Sequence, residues 1–313
     1  MRIAALDLGS NTFLCLIAEG ELVDGSPRLS RILSDEVRMV RLGQDVDRNR
    51  RFHPDALARA ETALAEFQET IQKFQPDRIL AMATSAARDV ENADALFDLG
   101  RKYGIPIEVI PGSQEAQITY AGATSGGASD TPTLVIDIGG GSTEFIRGVG
   151  TEMGWGHSLD LGCVRLKERL GYRETLTVDL EREARARIQE ELRSLPAKVG
   201  LSDEATDMSV QNILAVAGTP TELARMELGA FDPAKIDGFT FTRERIEEWV
   251  RRLAPLTPTQ IHEQFQVSPG RADVLVLGLL ILSEAMTFFA RPSLQVSTRG
   301  VRFGVAFVAL TRG

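Results

Sequence analysis

The chain has 313 residues, 43% of them hydrophobic, and a formal net charge of −9. That size and apolar content suffice for two domains with separate cores. The negative balance counts against sequence-independent binding to nucleic acid, so an anionic ligand has to meet locally clustered arginines. Met1-Arg2 leads directly into an apolar strand rather than a signal sequence, and the longest apolar run, Val274 to Leu282, is broken by Gly278 and too short to cross a bilayer. The two cysteines, Cys15 and Cys163, have no metal-ligand spacing and read as small core residues in a reducing cytoplasm.

In chain order, strands are expected near Ile3 to Asp7, Thr12 to Ala18 and Leu29 to Val40. A helix follows from Pro54 to about Phe74, with Ala56, Leu57, Ala60, Leu64, Phe67 and Ile71 on one face. Arg78 to Ala83 reads as a strand, Asn92 to Tyr103 as a helix, Ile107 to Ile110 as a strand and Gln114 to about Ala121 as a helix. The small, polar stretch Gly122 to Asp130 has the composition of a hinge, which sets the expected domains at 1–126 and 127–313. The pattern then restarts with a strand at Leu134 to Asp137, a hairpin, and helices at Leu161 to Leu170 and Leu180 to Leu195. Ile213 to Ala217 reads as a strand, with Thr219 a candidate cap and Pro220 the first residue of the helix after it. Helices at Arg243 to Leu253, Ala272 to Phe289 and Val301 to Leu310 complete the chain, the last (about 301–312) able to pack back on the first domain.

Two glycine turns stand out, DLGSNT at Asp7 to Thr12 and DIGGGST at Asp137 to Thr143. Each follows an apolar strand that ends in Asp and leads into a second strand. Gly9, Gly139, Gly140 and Gly141 let backbone N–H groups approach an anion closely. Asp7 and Asp137 suit a hard divalent cation. Either turn alone is equally well read as a plain hairpin; the repeated Asp-x-Gly layout, one in each half, favours a shared role in phosphate binding. Ser10, Asn11, Ser142 and Thr143 are candidate hydrogen-bond donors to phosphate, or stabilisers of their own turns. Arg88 follows a strand and can present a forked guanidinium to phosphate, although a lone loop arginine is usually solvated. Glu115 opens a helix, where it can serve as a base or merely complement the helix dipole. Glu144 is either brought near Asp137 by the hairpin or exposed on it. Arg48, Arg50 and Arg51 lie beside Asp45 and Asp47 and read as a self-compensated loop. His53, His157 and His262 are scattered and read as structural.

The segments DLGSNT, ATSAAR at Ala83 to Arg88, PGSQEA at Pro111 to Ala116, VIDIGGGSTE at Val135 to Glu144, LDLGCVRLKE at Leu159 to Glu168 and GRADVLVLG at Gly270 to Gly278 resemble the exopolyphosphatase and guanosine pentaphosphate phosphohydrolase family in order and spacing. The resemblance covers nearly the whole chain and is that of a short, two-domain member. It implies an α/β fold of the actin-like ATPase (ribonuclease H-like) type with an interdomain cleft. It also implies Glu115 as catalytic base, Arg88 facing phosphate, and Asp137 and Glu144 in catalysis and at a magnesium or manganese site, to which the layout of the first turn adds Asp7 as a candidate. Gly218 and Thr219 sit where actin-like proteins place a nucleotide loop, though any strand-to-helix turn needs such residues. Gln117, Ala87 and Phe303 depart from the family's usual residues and bear on substrate preference.

The activity so implied is metal-dependent release of terminal phosphate from inorganic polyphosphate. Hydrolysis of guanosine pentaphosphate is the nearest alternative, and a phosphotransferase or a non-catalytic polyphosphate or nucleotide sensor belongs to other classes. The resemblance is compatible with a homodimer; no nucleic-acid or membrane partner is expected.

Overall fold

The first strand, β1 (Arg2–Leu8), is apolar at all positions but Arg2 and Asp7, and everything from Ile3 to Leu8 is buried. A strand that reads this way is covered on both faces. It pairs antiparallel with β2 (Thr12–Val23), which pairs antiparallel with β3 (Ser26–Met39). After the single turn α1 (Val46–Asn49) comes α2 (Pro54–Phe74), opened by Pro54 and by His53, whose Nδ1 accepts from the Asp55 N–H. Its buried stripe is Ala56, Ala60, Ala63, Leu64, Phe67 and Ile71; Leu57, expected on that stripe, is half-buried. Then follow β4 (Arg78–Ala83), α3 (Ser85–Arg88), α4 (Asp94–Lys102), β5 (Ile107–Val109) and α5 (Gly112–Thr124). The sheet order is β3-β2-β1-β4-β5, with β4 parallel to both β1 and β5.

This is a computed structural model and it describes residues 1–127, 129–199 and 208–312. The chain divides into two units, Met1–Ser125 with the segment from Gly300 onward, and Gly126–Arg299.

The second unit begins with β6 (Thr133–Ile138), β7 (Thr143–Val149) and β8 (Glu152–Leu159), another antiparallel set, followed by α6 (Cys163–Leu170) and α7 (Val178–Lys198). It continues with β9 (Asn212–Val216), α8 (Gly218–Leu228), α9 (Pro233–Ile236), β10 (Thr240–Thr242), α10 (Arg243–Leu253), α11 (Pro258–Phe265), α12 (Pro269–Ala272), α13 (Leu275–Phe288) and β11 (Ser293–Val296). The order β10-β11-β9-β6-β7-β8 repeats the plan of the first sheet. In each, a central strand has an antiparallel hairpin on one side and a parallel strand on the other. Helix α13 is apolar but for Ser283, Glu284 and Thr287 and is buried from Leu275 to Met286, as a helix inside a core must be.

The last helix, α14 (Val301–Thr311), belongs to the first unit, where Val301, Val305, Ala306 and Ala309 share a core with Ile3, Ala5, Leu16 and Leu80. The opposite face of β1 offers Ala4, Leu6 and Leu8 to the core that includes Ala60, Leu64 and Phe67 of α2. Arg302 fixes α14 to β3 by a forked pair of hydrogen bonds to Asp35 at 2.8 and 2.7 Å. This packing corrects the expected hinge. Gly122 and Thr124 lie inside α5, because Gly122 is where α5 meets the start of α14: an added Cβ there would stand 2.2 Å from the Gly300 carbonyl. The connection starts only at Ser125, and Ala128 lies outside the described residues. Two further expectations change. The helix foreseen from Ala272 to Phe289 divides into α12 and α13, and α8 carries no side-chain cap: its N-cap is Ala217, not Thr219.

In the second unit Arg185 gathers Glu181, Glu247 and Glu284. Burial pushes the Glu247 carboxyl up, but hydrogen bonds from Arg185 and Ser283 outweigh it and hold the group below its ordinary value. A carboxyl lowered in this way contributes stability that is complete above its unfolded pKa and is lost as pH falls through the folded one. Urea unfolding should therefore become easier from about pH 5 down to about pH 3, and E247Q should flatten that slope relative to wild type. A separate measurement tests the α5–α14 contact. A Cβ at Gly304 would stand 1.9 Å from the Ile118 carbonyl, so G304A should cost about 1–3 kcal/mol in chemical denaturation.

Candidate active site

The two glycine turns close in the same way. The Gly9 N–H donates to the Thr12 carbonyl and the Gly139 N–H to the Ser142 carbonyl, both at 3.0 Å. A Cβ at either glycine would press on that carbonyl, at 3.1 and 3.0 Å respectively. Strand register then sets the correspondence: Asp7 faces Leu14 across its hairpin, and Asp137 faces Glu144 across the other. Thr12 thus matches Ser142, not Thr143 as the letters suggest. Leu14 stands where Glu144 stands, so only the second hairpin carries a facing pair of carboxylates.

What distinguishes the second turn is the way its carbonyls are held. The N-terminus of α6 donates from Cys163 to the Gly139 carbonyl at 3.0 Å, and from Val164 and Arg165 to the Gly140 carbonyl at 2.9 and 3.0 Å. The Arg165 Nε–H donates to the Gly141 carbonyl at 2.6 Å. A trans peptide holds its C=O antiparallel to the following N–H. With three successive carbonyls turned toward α6, the N–H groups of Gly140, Gly141 and Ser142 face the other way. None of the three has a protein acceptor among the described residues. Such a row of backbone donors is an anion-binding concavity. Gly162 permits the approach, since a Cβ there would stand 2.2 Å from the Gly140 carbonyl.

Hydroxyl protons around this turn go to protein acceptors. Ser142 Oγ donates to Glu144 Oε1 at 2.8 Å and Ser158 Oγ, from β8, to the same oxygen at 2.7 Å. Thr143 is fully buried and its hydroxyl donates to the Leu161 carbonyl. Of the two readings the sequence left open, these bonds match the second: Thr143 braces the loop before α6 and the Ser142 hydroxyl stays within its own hairpin. Asp137 and Glu144 are both buried, at 6% and 2% exposure, so Glu144 is not the exposed hairpin residue that spacing alone allowed.

In the first unit the equivalent turn is fastened from residues 40–43. The Gly43 N–H donates to the Ser10 carbonyl at 2.8 Å, and Val40 and Arg41 donate to the Asn11 carbonyl at 3.0 and 2.9 Å. Ser10 Oγ accepts from the Ala86 N–H at 3.2 Å, which ties the turn to α3. Arg88, placed by sequence in a loop, is the last residue of that short helix. Its Nη1 donates to Glu115 Oε2 at 2.7 Å and to the Ile110 carbonyl at 3.0 Å. The Nε and Nη2 edge of the guanidinium has no protein acceptor among the described residues, and the side chain is 22% exposed. Glu115, 4% exposed in the first turn of α5, is therefore held by an ion pair and does more than complement a helix dipole. The segments DLGSNT, ATSAAR and PGSQEA thus meet in one place.

Other candidates have structural roles. Arg271 lies over Gly218, where a Cβ would come within 2.8 Å of its Cζ, and donates to the Gly218 carbonyl at 3.1 Å. Thr219 is buried against Gly278 of α13. Arg50 and Arg51 pair loosely with Asp89 and Glu91, at 4.0 and 3.9 Å. His262 bonds the Val267 carbonyl through Nδ1 at 2.8 Å, and burial, the largest influence on His157, pushes its pKa down. Both cysteines are free and buried; burial pushes the Cys15 thiol up to about 12 and the Cys163 thiol up to about 11, which suits neither for nucleophilic attack.

No group of three or more His, Cys, Asp or Glu side chains among the described residues is gathered closely enough to hold a metal ion. The second unit supplies two oxygen donors, Asp137 and Glu144, on facing positions of one hairpin. Magnesium is ordinarily held by one or two carboxylates, with water and substrate phosphate completing its sphere, so this donor set fits such an ion. No helix among the described residues is long and apolar enough to cross a membrane.

Two copies of the same mixed sheet, each with a glycine turn at the end of its central strand, make up an α/β fold of the actin-like ATPase type, seen also in solved relatives. The chain belongs to the Ppx/GppA phosphatase family, which it matches over residues 21–312. It is 34% identical over 303 residues to exopolyphosphatase 2 of Mycobacterium tuberculosis, with 90% of this chain and 89% of that protein covered. Among solved structures it is similar to the Ppx/GppA family member of Aquifex aeolicus, at TM-score 0.78 and 28% identity over 98% of this chain and 97% of that one. It is also similar to an exopolyphosphatase from Cytophaga hutchinsonii, at TM-score 0.88 and 25% identity over 99% and 98% of the two chains. The protein is an enzyme, a phosphoanhydride hydrolase.

Gly162 tests the geometry of the second turn. G162A should displace the Gly140 carbonyl and weaken binding of inorganic phosphate about tenfold or more in titration calorimetry, because the N–H groups behind it lose their common direction.

Proposed function

We propose that the protein is an exopolyphosphatase that removes the terminal orthophosphate of inorganic polyphosphate. The observation that carries this reading is the Arg88–Glu115 pair, linked through α3 to the Ser10 turn. Hydrolysis of a phosphoanhydride needs a placed water, an acceptor for its proton and positive charge around the transferring group. Glu115 Oε2 is occupied by Arg88, which orients the carboxyl so that it can accept a proton from water. The free edge of Arg88 then holds the oxygens of the transferring phosphoryl group by a forked contact. The N–H groups of Gly140, Gly141 and Ser142 are the second unit's donors to phosphate oxygens, and Ser10 and Asn11 are candidates for that role in the first unit. Asp137 and Glu144 would hold magnesium or manganese in the second unit, and Asp7 is the first unit's own candidate carboxylate for a divalent ion. When bound, the ion supplies charge neutralisation at the phosphate oxygens.

Two observations support polyphosphate over a guanosine nucleotide. The name of the M. tuberculosis relative points that way. In addition, Gly218 is covered by Arg271 and Thr219 is packed on Gly278, which leaves little in that turn for a base to contact. The buried, unpaired thiols suit a reducing compartment, and a cytoplasmic location is part of this reading.

Release of orthophosphate from polyphosphate, guanosine pentaphosphate and ATP, each with magnesium varied and with chelator added, tests the proposal. Polyphosphate should give the highest kcat/KM, and chelation should abolish turnover. E115Q should fold and bind tripolyphosphate as wild type does but turn over about a hundred- to ten-thousand-fold more slowly. Undiminished turnover in E115Q would remove the carboxyl from the chemistry, and a preference for pentaphosphate would reassign the substrate.

A further inference from the structure

The turn Gly139 to Ser142 is held from α6 by the backbone N–H groups of Cys163, Val164 and Arg165 and by a side chain. That side chain is Arg165. Its own N–H donates to the Gly140 carbonyl at 3.0 Å and its Nε–H to the Gly141 carbonyl at 2.6 Å, so one residue grips two successive peptides. The side chain is 8% exposed, and its Nη2 stands 4.0 Å from Asp160 Oδ1. An arginine this deeply placed beside an anion-binding turn would ordinarily be taken for a phosphate ligand. Its Nε–H points instead at a carbonyl.

The Gly141 carbonyl and the Ser142 N–H belong to one rigid plane. Glycine at position 141 imposes little on that plane, because without a Cβ the peptide can rotate at low cost. The Nε–H of Arg165 supplies the missing restraint. We propose that Arg165 is a positioning residue for substrate binding: by holding the Gly141 carbonyl against α6 it keeps the Ser142 N–H turned outward, toward a phosphate oxygen. The same plane bears on Glu144, since Ser142 Oγ donates to Glu144 Oε1. One side chain on α6 thus sets the direction of a phosphate donor and the base of the hydroxyl that orients a carboxylate. The inference rests on the reading that this turn receives phosphate.

Side-chain length allows a sharp test. The Nε2 of glutamine falls where the Nε of arginine lies and carries an N–H; methionine fills the same space without a donor; lysine keeps the charge but places a methylene at that point. R165M and R165K should each raise KM for tripolyphosphate about tenfold with kcat within about threefold, whereas R165Q should stay near wild type. In amide NMR spectra, inorganic phosphate should shift the Ser142 N–H of wild type and R165Q, and much less that of R165M. Wild-type KM in R165M would overturn the inference. So would normal binding in R165K with loss in R165Q, since charge rather than direction would then be what matters. A fall in melting temperature and kcat with KM unchanged would show a purely structural role and would likewise overturn it. If R165M fails to fold, the comparison of R165K with R165Q decides alone. The NMR arm separates this from the functional reading. Phosphate-dependent shifts in a protein that does not hydrolyse polyphosphate would refute the activity alone, and hydrolysis with R165M unaffected would refute only the positioning role.

Discussion

Whatever this protein does with phosphate depends on the orientation of a few peptide planes. Backbone N–H groups attract an anion only when they point the same way, and an unrestrained glycine segment gives them no reason to do so. Here the carbonyls are captured from behind. In the second unit they are taken by α6, and in the first by Gly43, Val40 and Arg41. Close approach of the capturing segment requires glycine at Gly162 in one unit; in the other, a Cβ added at Gly43 would stand 3.0 Å from the Ser10 Cβ. The glycines around these turns are thereby of two kinds, those whose N–H groups are turned outward and those that let another segment come close behind them.

The two units share this device but differ in what surrounds it. The first couples its turn to α3 and so to the Arg88–Glu115 pair, a guanidinium and a carboxylate suited to proton and phosphoryl handling. The second places two buried carboxylates across one hairpin, with Ser142 and Ser158 both donating to one oxygen of Glu144. The duplicated sheet supplies equal frames; the substitution of Leu14 for a carboxylate at the matching register position makes them unequal.

Much of this was legible in the sequence where the pattern is local and long. The helix Pro54–Phe74, the strand Arg78–Ala83 and the helix Arg243–Leu253 were readable to the residue, because a proline or capping threonine marks the start and apolar spacing carries through. Strand β8 was not, since EMGWGHSL holds two glycines and no alternation, as befits the edge of a sheet. The strands β10 and β11, of three and four residues, are too short for any period to register. The candidates Asp7, Glu115, Asp137 and Glu144 could be named from motifs, but the bond of Thr143 to the Leu161 carbonyl could not, because that loop returns only after β8; the partner of Ser142, Glu144, lies just two residues on. Arg165 stood inside a recognised motif without a role. Its purpose exists only once α6 is laid against the turn more than twenty residues upstream. The connection was drawn three residues too early for a related reason, as small residues that suggest looseness also permit helices to touch.

The return of α14 to the first unit has a consequence for biosynthesis. Because the second unit is one continuous stretch inserted between α5 and α14, every residue of its core comes from that stretch. The first unit's core does not close on its own earlier residues. Until α14 has followed the inserted unit out of the ribosome, Ile3, Ala5, Leu16 and Leu80 lack the cover that Val301, Val305, Ala306 and Ala309 give them. An apolar sheet face is thus partly open while the whole second unit is made, a natural client surface for chaperones that attend the exit tunnel.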